Sequence, residues 1–312
     1  MEKPRLSIII VSYNVRDLLV DCIRSVIGTI SGFSYEIIVV DNASSDGSVE
    51  ALKEAFPQIP QIRVIANSEN VGFARANNQG YEISHGDFLL LLNPDTIVKP
   101  NAIRNTLQFL KETSDGGMAC CRLLNSDGSL QKSIAVFPSL RNHILRTLFL
   151  DRLVYPANRS KTYYKERPFK IDYGSGAFMV IRKEALGEIS LMDEDFFMYA
   201  EEKDLALRLL ERGWHTYFVP SAEAIHYGGR STDQMIVEMF IELQRSQVKF
   251  FRRHYSGMLY AAMAWTYGLH LWSSFLVSVF GAGTDYGRLR LRLFARAAII
   301  YPQVVRELTN RA

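Results

Sequence analysis

Phe88-Leu89-Leu90-Leu91-Leu92-Asn93-Pro94-Asp95 is the stretch that decides the fold. Five apolar residues in succession, closed by Asn-Pro, predict a short strand buried on both faces, with a carboxylate emerging at its carboxyl end. Outward from it the same pattern recurs: Leu6-Ser7-Ile8-Ile9-Ile10-Val11 runs into Ser12-Tyr13-Asn14, Glu36-Ile37-Ile38-Val39-Val40 ends on Asp41, and Arg63-Val64-Ile65 is a shorter version. Between and after these runs, apolar residues at helical spacing predict helices over Val15–Ile30, Asp46–Ala55, Phe73–Ser84 and Asn101–Glu112. Ser44, Ser45 and Asp46 are candidate caps for the second of these. Continuous apolar strands alternating with helices give an α/β fold, a doubly wound, mostly parallel sheet covered on both faces.

Composition narrows the function. The chain has 312 residues, 36 Lys+Arg against 33 Asp+Glu, and a formal net charge of +3. At about 150 residues per domain that is one large domain or two modest ones. A charge of +3 over this length is no footprint for a polyanion, so a nucleic-acid partner is excluded. Cys22, Cys120 and Cys121 form neither a CxxC pair nor an even-numbered framework, which argues for a reducing compartment. The six-residue apolar run at Leu6–Val11 is too short for a signal peptide's apolar region, so the expected location is cytoplasmic.

Beyond residue 116 the period is less regular. Short strands are expected from about 117 to 192, with Asp127-Gly128 as a hairpin turn and a basic, aromatic stretch from Arg141 to Lys170. A helix is expected over Glu201–Arg212, then a strand around Thr216–Val219, a turn at Pro220-Ser221, and helix throughout beyond Asp233. The domain boundary is accordingly set between 1–232, the α/β part, and 233–312, a helical C-terminal region.

In doubly wound sheets, ligands bind at the carboxyl ends of the strands. Those ends here are Ser12-Tyr13-Asn14, Asp41-Asn42 with Ser44-Ser45-Asp46, Asn67 to Ala74, and Asn93-Pro94-Asp95, all polar. No GxGxxG follows the first strand, which argues against a Rossmann dinucleotide cofactor. Any one of these Asx residues could simply cap or turn, but four polar strand ends on one edge favour a nucleotide pocket. Asp95 is placed to ligate a hard divalent cation whose shell diphosphate oxygens complete; an ordinary turn Asp is the alternative. Glu201, Glu202 and Asp204 open a helix, where acidic residues complement the dipole and Asp204 can pair with Arg208, yet a carboxylate at a cleft edge could also act as general base. His226, just before Gly228-Gly229, is either a structural histidine or a metal ligand, and sequence spacing alone does not bring it to Asp95.

Ser7–Asn14, Val39–Gly47, Asn70–Gly80, Leu91–Thr96, Gly174–Arg182 and Asp193–Arg208 together resemble the inverting glycosyltransferases of family 2, in particular the rhamnosyltransferase-like branch, over roughly residues 5 to 232. The resemblance implies a GT-A fold and a sugar-nucleotide pocket drawn from Val11, Tyr13, Asp41, Asn70, Gly72, Asn77 and Asn93. Asn93-Pro94-Asp95 stands where the family has its DxD motif, with Asn for the first Asp, leaving Asp95 as the principal carboxylate ligand. His226 matches a position that completes the metal shell in similar enzymes, so the implied cofactor is a divalent cation, Mg2+ or Mn2+. Glu201-Glu202 aligns with the family's Glu-Asp pair, which implies Glu202 as the catalytic base, Glu standing for the usual Asp. Gly174, Ser175, Gly176 and Glu201 are implied on the acceptor side. The expected reaction moves a sugar, rhamnose among the candidates, from a nucleotide-sugar donor to a lipid-linked or polysaccharide acceptor. Two other readings stand beside it: a degenerate sugar-nucleotide-binding or scaffold subunit, suggested by Asn93 and Glu202, and a sugar-phosphate nucleotidyltransferase, which would want a Gly-rich basic loop after the first strand where Val11-Ser12-Tyr13-Asn14 stands.

From Gly257 to Thr284 the chain carries no charged residue. As a helix, Met258–Ala282 would be about 37 Å long, against a hydrocarbon core of about 30 Å. Arginines and a lysine flank both sides: Arg245, Lys249, Arg252 and Arg253 before, Arg288, Arg290, Arg292 and Arg296 after, a balance that keeps both flanks on one face. The expectation is therefore a re-entrant hairpin or in-plane helix on the cytoplasmic face of the cell membrane, followed by a basic amphipathic helix, Tyr286–Leu308, on anionic lipid. Burial against protein, including a homodimer formed through these helices, is the alternative.

Overall fold

A computed structural model describes residues 5–148, 150, 165–228, 236–280 and 283–310. The expected domain boundary at 232/233, Gly229, and part of the basic stretch from Arg141 to Lys170 lie outside the described residues. Packing divides the chain into two units, one carrying the sheet and one helical.

In the first unit, β1 (Leu6–Ser12), β2 (Tyr35–Asp41), β3 (Ile62–Ala66) and β4 (Phe88–Leu92) run parallel in the order β3-β2-β1-β4. All of β1 and β4 is buried, as uninterrupted apolar runs require. α1 (Arg16–Thr29), α2 (Ser48–Ala55), α3 (Phe73–Glu82) and α4 (Ala102–Glu112) cover the faces through residues such as Leu19, Ile23, Val26, Leu107 and Leu110. The second helix starts two residues later than expected: Gly47, at φ +79, is its N-terminal neighbour, and Asp46 receives the Ser48 backbone N–H at 3.1 Å instead of opening the helix.

The sheet continues past β4 with β10 (Phe178–Arg182), β6 (Gly116–Leu124), β11 (His215–His226) and β5 (Thr96–Val98), in that order, and β8 (Phe169–Ile171) pairs with β11. β10 is antiparallel to both its neighbours, and β6 and β11 are parallel. A two-stranded ladder joins β7 (Ile134–Ala135) to β9 (Tyr173–Gly174). The Asp127-Gly128 turn is present: Gly128, at φ +80, donates its N–H to Asn125 at 2.9 Å, and Leu124 bridges Leu130. Two short helices complete the unit, α6 (Lys183–Leu186) and α7 (Glu201–Glu211), the latter carrying the expected Asp204–Arg208 pair at 2.6 Å with Asp204 fully buried.

One expectation is corrected. Pro220-Ser221 is not a turn but lies in a bulge of the single strand β11, where the register with β6 shifts between Val219 and Glu223. Proline has no ladder donor, and a bulge is where a strand can accommodate it. The strand therefore runs on to His226, which pairs with Thr96 of β5.

The second unit packs α5 (Leu140–Thr147) with α8 (Ile236–His254), α9 (Gly257–Phe280) and α10 (Asp285–Asn310). His143 of α5 meets the rings of Phe251 and Tyr267 edge-on at 5.1 and 5.5 Å, and the Tyr267 hydroxyl donates to Gln244 at 2.5 Å. α9 is inverted: Ser274, Ser278 and Thr266 are buried, whereas Met258, Trp265, Trp272, Leu276 and Phe280 are exposed. These outward residues follow helical spacing and form one apolar stripe. On α10 the outward stripe carries Arg288, Arg292 and Arg296. Among the described residues no helix is long and apolar enough to cross a membrane.

Candidate functional site

The site is built on the carboxyl edge of β1, β2 and β4. Ser12 pairs with Asp41, and the Asn42 N–H donates to Ser12 at 2.8 Å, so the first two strands end level. Their loops are stitched together: the Asn14 N–H donates to Ser44 Oγ at 2.9 Å and the Ser45 N–H to Asn14 Oδ1 at 2.8 Å. Asn14 (φ +51) and Ala43 (φ +63) are left-handed, a strain of a kind that collects at functional sites. Asp41 is 3% exposed; its Oδ2 accepts the Ser44 N–H at 2.9 Å, while its buried Oδ1 has no hydrogen-bond partner among the described residues. A buried carboxylate oxygen held open at a strand end suits a ligand hydroxyl or amide.

The other residues expected around the nucleotide fall into different roles. Val11 is buried and Tyr13 half-buried on the rim itself. Asn70 and Gly72 shape the loop before α3: Asn70 Oδ1 accepts the Gly72 N–H at 3.0 Å, and the Asn42 side chain donates to the Gly72 carbonyl at 3.2 Å. Gly72 sits at φ +88, and a Cβ there would lie 2.6 Å from the Phe197 carbonyl oxygen, so only glycine fits. Asn77 is 1% exposed and donates back to Phe73 within its own helix at 2.9 Å. Sequence reasoning missed Asn78, whose side chain both accepts from the Met192 N–H and donates to its carbonyl, at 2.9 Å each, tying α3 to the segment before α7.

At the end of β4 the chain turns at once, with the Thr96 N–H donating to the Asn93 carbonyl at 3.2 Å, and forms β5. β5 pairs with the end of β11, and this brings His226 Nε2 to 3.3 Å from Asp95 Oδ1. Both side chains are nearly buried, and the Asn93 amide nitrogen lies 3.4 Å from the same Nε2. Among the described residues no group of three or more His, Cys, Asp or Glu side chains could enclose a metal. Two protein donors converging at a rim nevertheless fit a hard divalent cation, which takes much of its shell from phosphate and water. Asp95 also acts on its surroundings: burial, with the Asp95 charge added, pushes the Cys22 thiol well up.

The residues expected on the acceptor side border the same turn. The Ala177 carbonyl accepts the Asn93 N–H at 3.1 Å, and the Ser175 N–H donates to Ser133 at 2.8 Å. Gly174 packs on Cys120, where a Cβ would come within 2.5 Å of the sulfur, and Gly176 has open room. α7 packs on β9 and β11, placing Glu202, half-buried, near Cys120. Burial and then the Glu202 charge push the Cys120 thiol up to about 12. The chain enters α7 through Tyr199 and Ala200, both at positive φ without being glycine. Glu201 is 5% exposed, and its Oε2 has no hydrogen-bond partner among the described residues. Burial first, and the neighbouring Glu202 charge second, hold its carboxyl well above the usual range. Glu201 is thus the more deeply buried member of the pair, and Glu202 the half-buried one.

Comparison with known proteins bears on the family and the fold. A family model described as glycosyl transferase family 2 matches residues 7–190. The chain is 27% identical over 248 residues to the N-acetylglucosaminyl-diphospho-decaprenol L-rhamnosyltransferase of Mycobacterium tuberculosis, covering 74% of this chain and 78% of that one. It is 25% identical over 228 residues to rhamnosyltransferase WbbL of Escherichia coli, covering 70% and 83% respectively. Among solved structures, mannosyltransferase PcManGT from Pyrobaculum calidifontis, in complex with GDP-Man and Mn2+, superposes with a TM-score of 0.63 at 14% identity, covering 98% of this chain and 88% of that one. At such identity the likeness bears on fold alone, and it bears out the GT-A-type α/β sheet.

Proposed function

Because the chain belongs to glycosyl transferase family 2, we propose that it moves a sugar from a nucleotide-sugar donor to a hydroxyl of a lipid-linked or polysaccharide acceptor, with inversion at the anomeric carbon and with a divalent cation. The observation that carries the reading is the meeting of Asp95 and His226 at the carboxyl end of the central strand, 3.3 Å apart. The rhamnosyltransferases among its relatives favour rhamnose as the sugar and a polyprenyl-diphosphate glycan as the acceptor.

The chemistry follows from where the charges sit. Asp95 and His226 would hold the cation, which when bound would offset the negative charge of the leaving diphosphate. The open Asp41 Oδ1 orients the nucleoside end. Glu202 accepts the acceptor hydroxyl's proton as that oxygen forms its bond to the anomeric carbon, while the bond from that carbon to the diphosphate oxygen breaks on the opposite face. Burial first, and the Glu202 charge second, hold the Glu201 carboxyl well above the usual range, and Glu202 is the member of the pair assigned as base. The decisive experiment incubates the protein with Mn2+, a panel of nucleotide sugars including dTDP-rhamnose, and a polyprenyl-diphosphate-linked N-acetylglucosamine, and reads the product's anomeric configuration by NMR. Transfer with the opposite configuration is expected. Retained configuration would sink the inverting mechanism, and donor binding with no transfer to any acceptor would favour the scaffold reading.

The helical unit supports association with the surface of an anionic membrane, for which the cytoplasmic face is our proposal. α9 turns its aromatic and apolar side outward, with Trp265 69% and Phe280 92% exposed, and α10 turns arginines outward. An in-plane helix with Trp at the headgroup level and arginines on anionic lipid has this distribution. The full-length protein should float with vesicles containing phosphatidylglycerol and much less with pure phosphatidylcholine, and Trp265→Ser with Trp272→Ser should lower the floated fraction about tenfold or more. Equal flotation of parent and double variant would remove α9 from the membrane contact; a concentration-dependent dimer without flotation would assign the stripe to a second copy.

A further inference from the structure

The hairpin closed by Asp127-Gly128 has no part in the chemistry above, yet it delivers one side chain to the cation site. Beyond the turn, the Gln131 backbone N–H donates to Leu123 at 2.9 Å, which anchors the residue beside the end of β6. Its side-chain nitrogen Nε2 donates to the His226 carbonyl and to Asn125 Oδ1, each at 3.0 Å. A backbone carbonyl can only accept, so this bond fixes which way the Gln131 amide faces. The amide oxygen Oε1 is then the atom 2.8 Å from His226 Nδ1. An oxygen acceptor at that distance requires the proton on Nδ1, and in the neutral ring this leaves the lone pair on Nε2, the atom 3.3 Å from Asp95.

We propose that Gln131 is the positioning residue of the cation site, holding His226 in the tautomer and orientation in which Nε2 can ligate. The proposal rests on the reading of Asp95 and His226 as cation ligands. A histidine ring free to carry its proton on Nε2 would aim an N–H at the cation and repel it. Partners of this kind set ligand basicity and orientation, and their loss typically costs about 10- to 100-fold in metal affinity.

The test uses the full-length protein and Mn2+ alone, with free Mn2+ followed by electron paramagnetic resonance. Gln131→Met, of similar length but without an amide, is expected to weaken Mn2+ binding by about 10- to 100-fold, and Gln131→Asn, too short to reach Nδ1, should do the same. Unchanged affinity in folded Gln131→Met or Gln131→Asn overturns the proposal. A second readout needs no variant of Gln131: with 15N-labelled histidine in alkaline buffer, the His226 signal, assigned by its loss in His226→Ala, should show the proton on Nδ1. A proton on Nε2 would overturn the proposal even if both Gln131 variants failed to fold. The His226→Ala protein separates the two levels of the argument. If it binds Mn2+ as tightly as the parent, the cation-site reading itself falls and the role of Gln131 with it; if His226→Ala loses affinity and Gln131→Met does not, only the role of Gln131 falls.

Discussion

Glu202→Gln is expected to lower the rate of sugar transfer by about 10²- to 10⁴-fold, the range that a positioned general base contributes, while leaving donor binding unchanged. The substitution keeps the side chain's length and shape and removes only its ability to take a proton. Its neighbour is poorly placed to substitute for it, because Glu201 is 5% exposed and burial, the larger cause of its raised carboxyl, remains when the Glu202 charge is gone. The expected signature is a fall in kcat with little change in donor KM, since the lost interaction is made in the transition state and not with the bound donor. Glu202→Asp shortens the reach by one methylene and restores the residue the family pattern uses at this position. It should therefore retain most of the activity that Glu202→Gln loses. Transfer by Glu202→Gln at the parental rate would exclude the residue as base and turn attention to another carboxylate of the same edge.

How much of this was legible in the sequence depended on distance along the chain. The runs at Leu6–Val11 and Phe88–Leu92 announce buried strands because a strand covered on both faces needs no alternation, and the structure shows both fully buried. α7 and its Asp204–Arg208 pair are local features and were readable for the same reason. The partnership of Asp95 with His226 was not, because it spans 131 positions and depends on β11 continuing through Pro220. A proline reads as a stop, and only the neighbouring strand shows that here it occupies a bulge. β5, three residues long, offered no period to detect, yet it is the element that pairs with His226. Gln131 was invisible for a different reason: a lone glutamine after a turn carries no signal until the ring it faces is in view. The outward-facing aromatic stripe of α9 could be suspected from composition, but which side faced out required the packing of α5 and α10 against the other side.

Asp95→Ala is expected to weaken cation-dependent nucleotide binding by about 100-fold or more, since the substitution removes the main anionic donor from a nearly buried position. The backbone around it should hold, because the turn is maintained by main-chain bonds that alanine keeps: Thr96 N–H to Asn93, and Tyr227 N–H to Asp95, at 3.2 and 3.0 Å. Loss of binding without loss of folding is therefore the expected pattern, read by calorimetry with Mn2+ and the nucleoside diphosphate that most raises the parent's Tm. Chelation supplies the internal control. With excess EDTA, the parent should fall to the level of the variant, because the residue acts through the cation; a parent that binds equally well with EDTA would show that nucleotide affinity comes from the protein alone. The cycle with His226→Ala then distinguishes a shared ligand set from two independent contacts. If both residues hold one cation, the double variant should cost little more than Asp95→Ala alone, the non-additivity expected of groups that work as a unit. Additive losses would mean that His226 serves the nucleotide by another route, and the 3.3 Å approach of Nε2 to Asp95 would be a structural contact only.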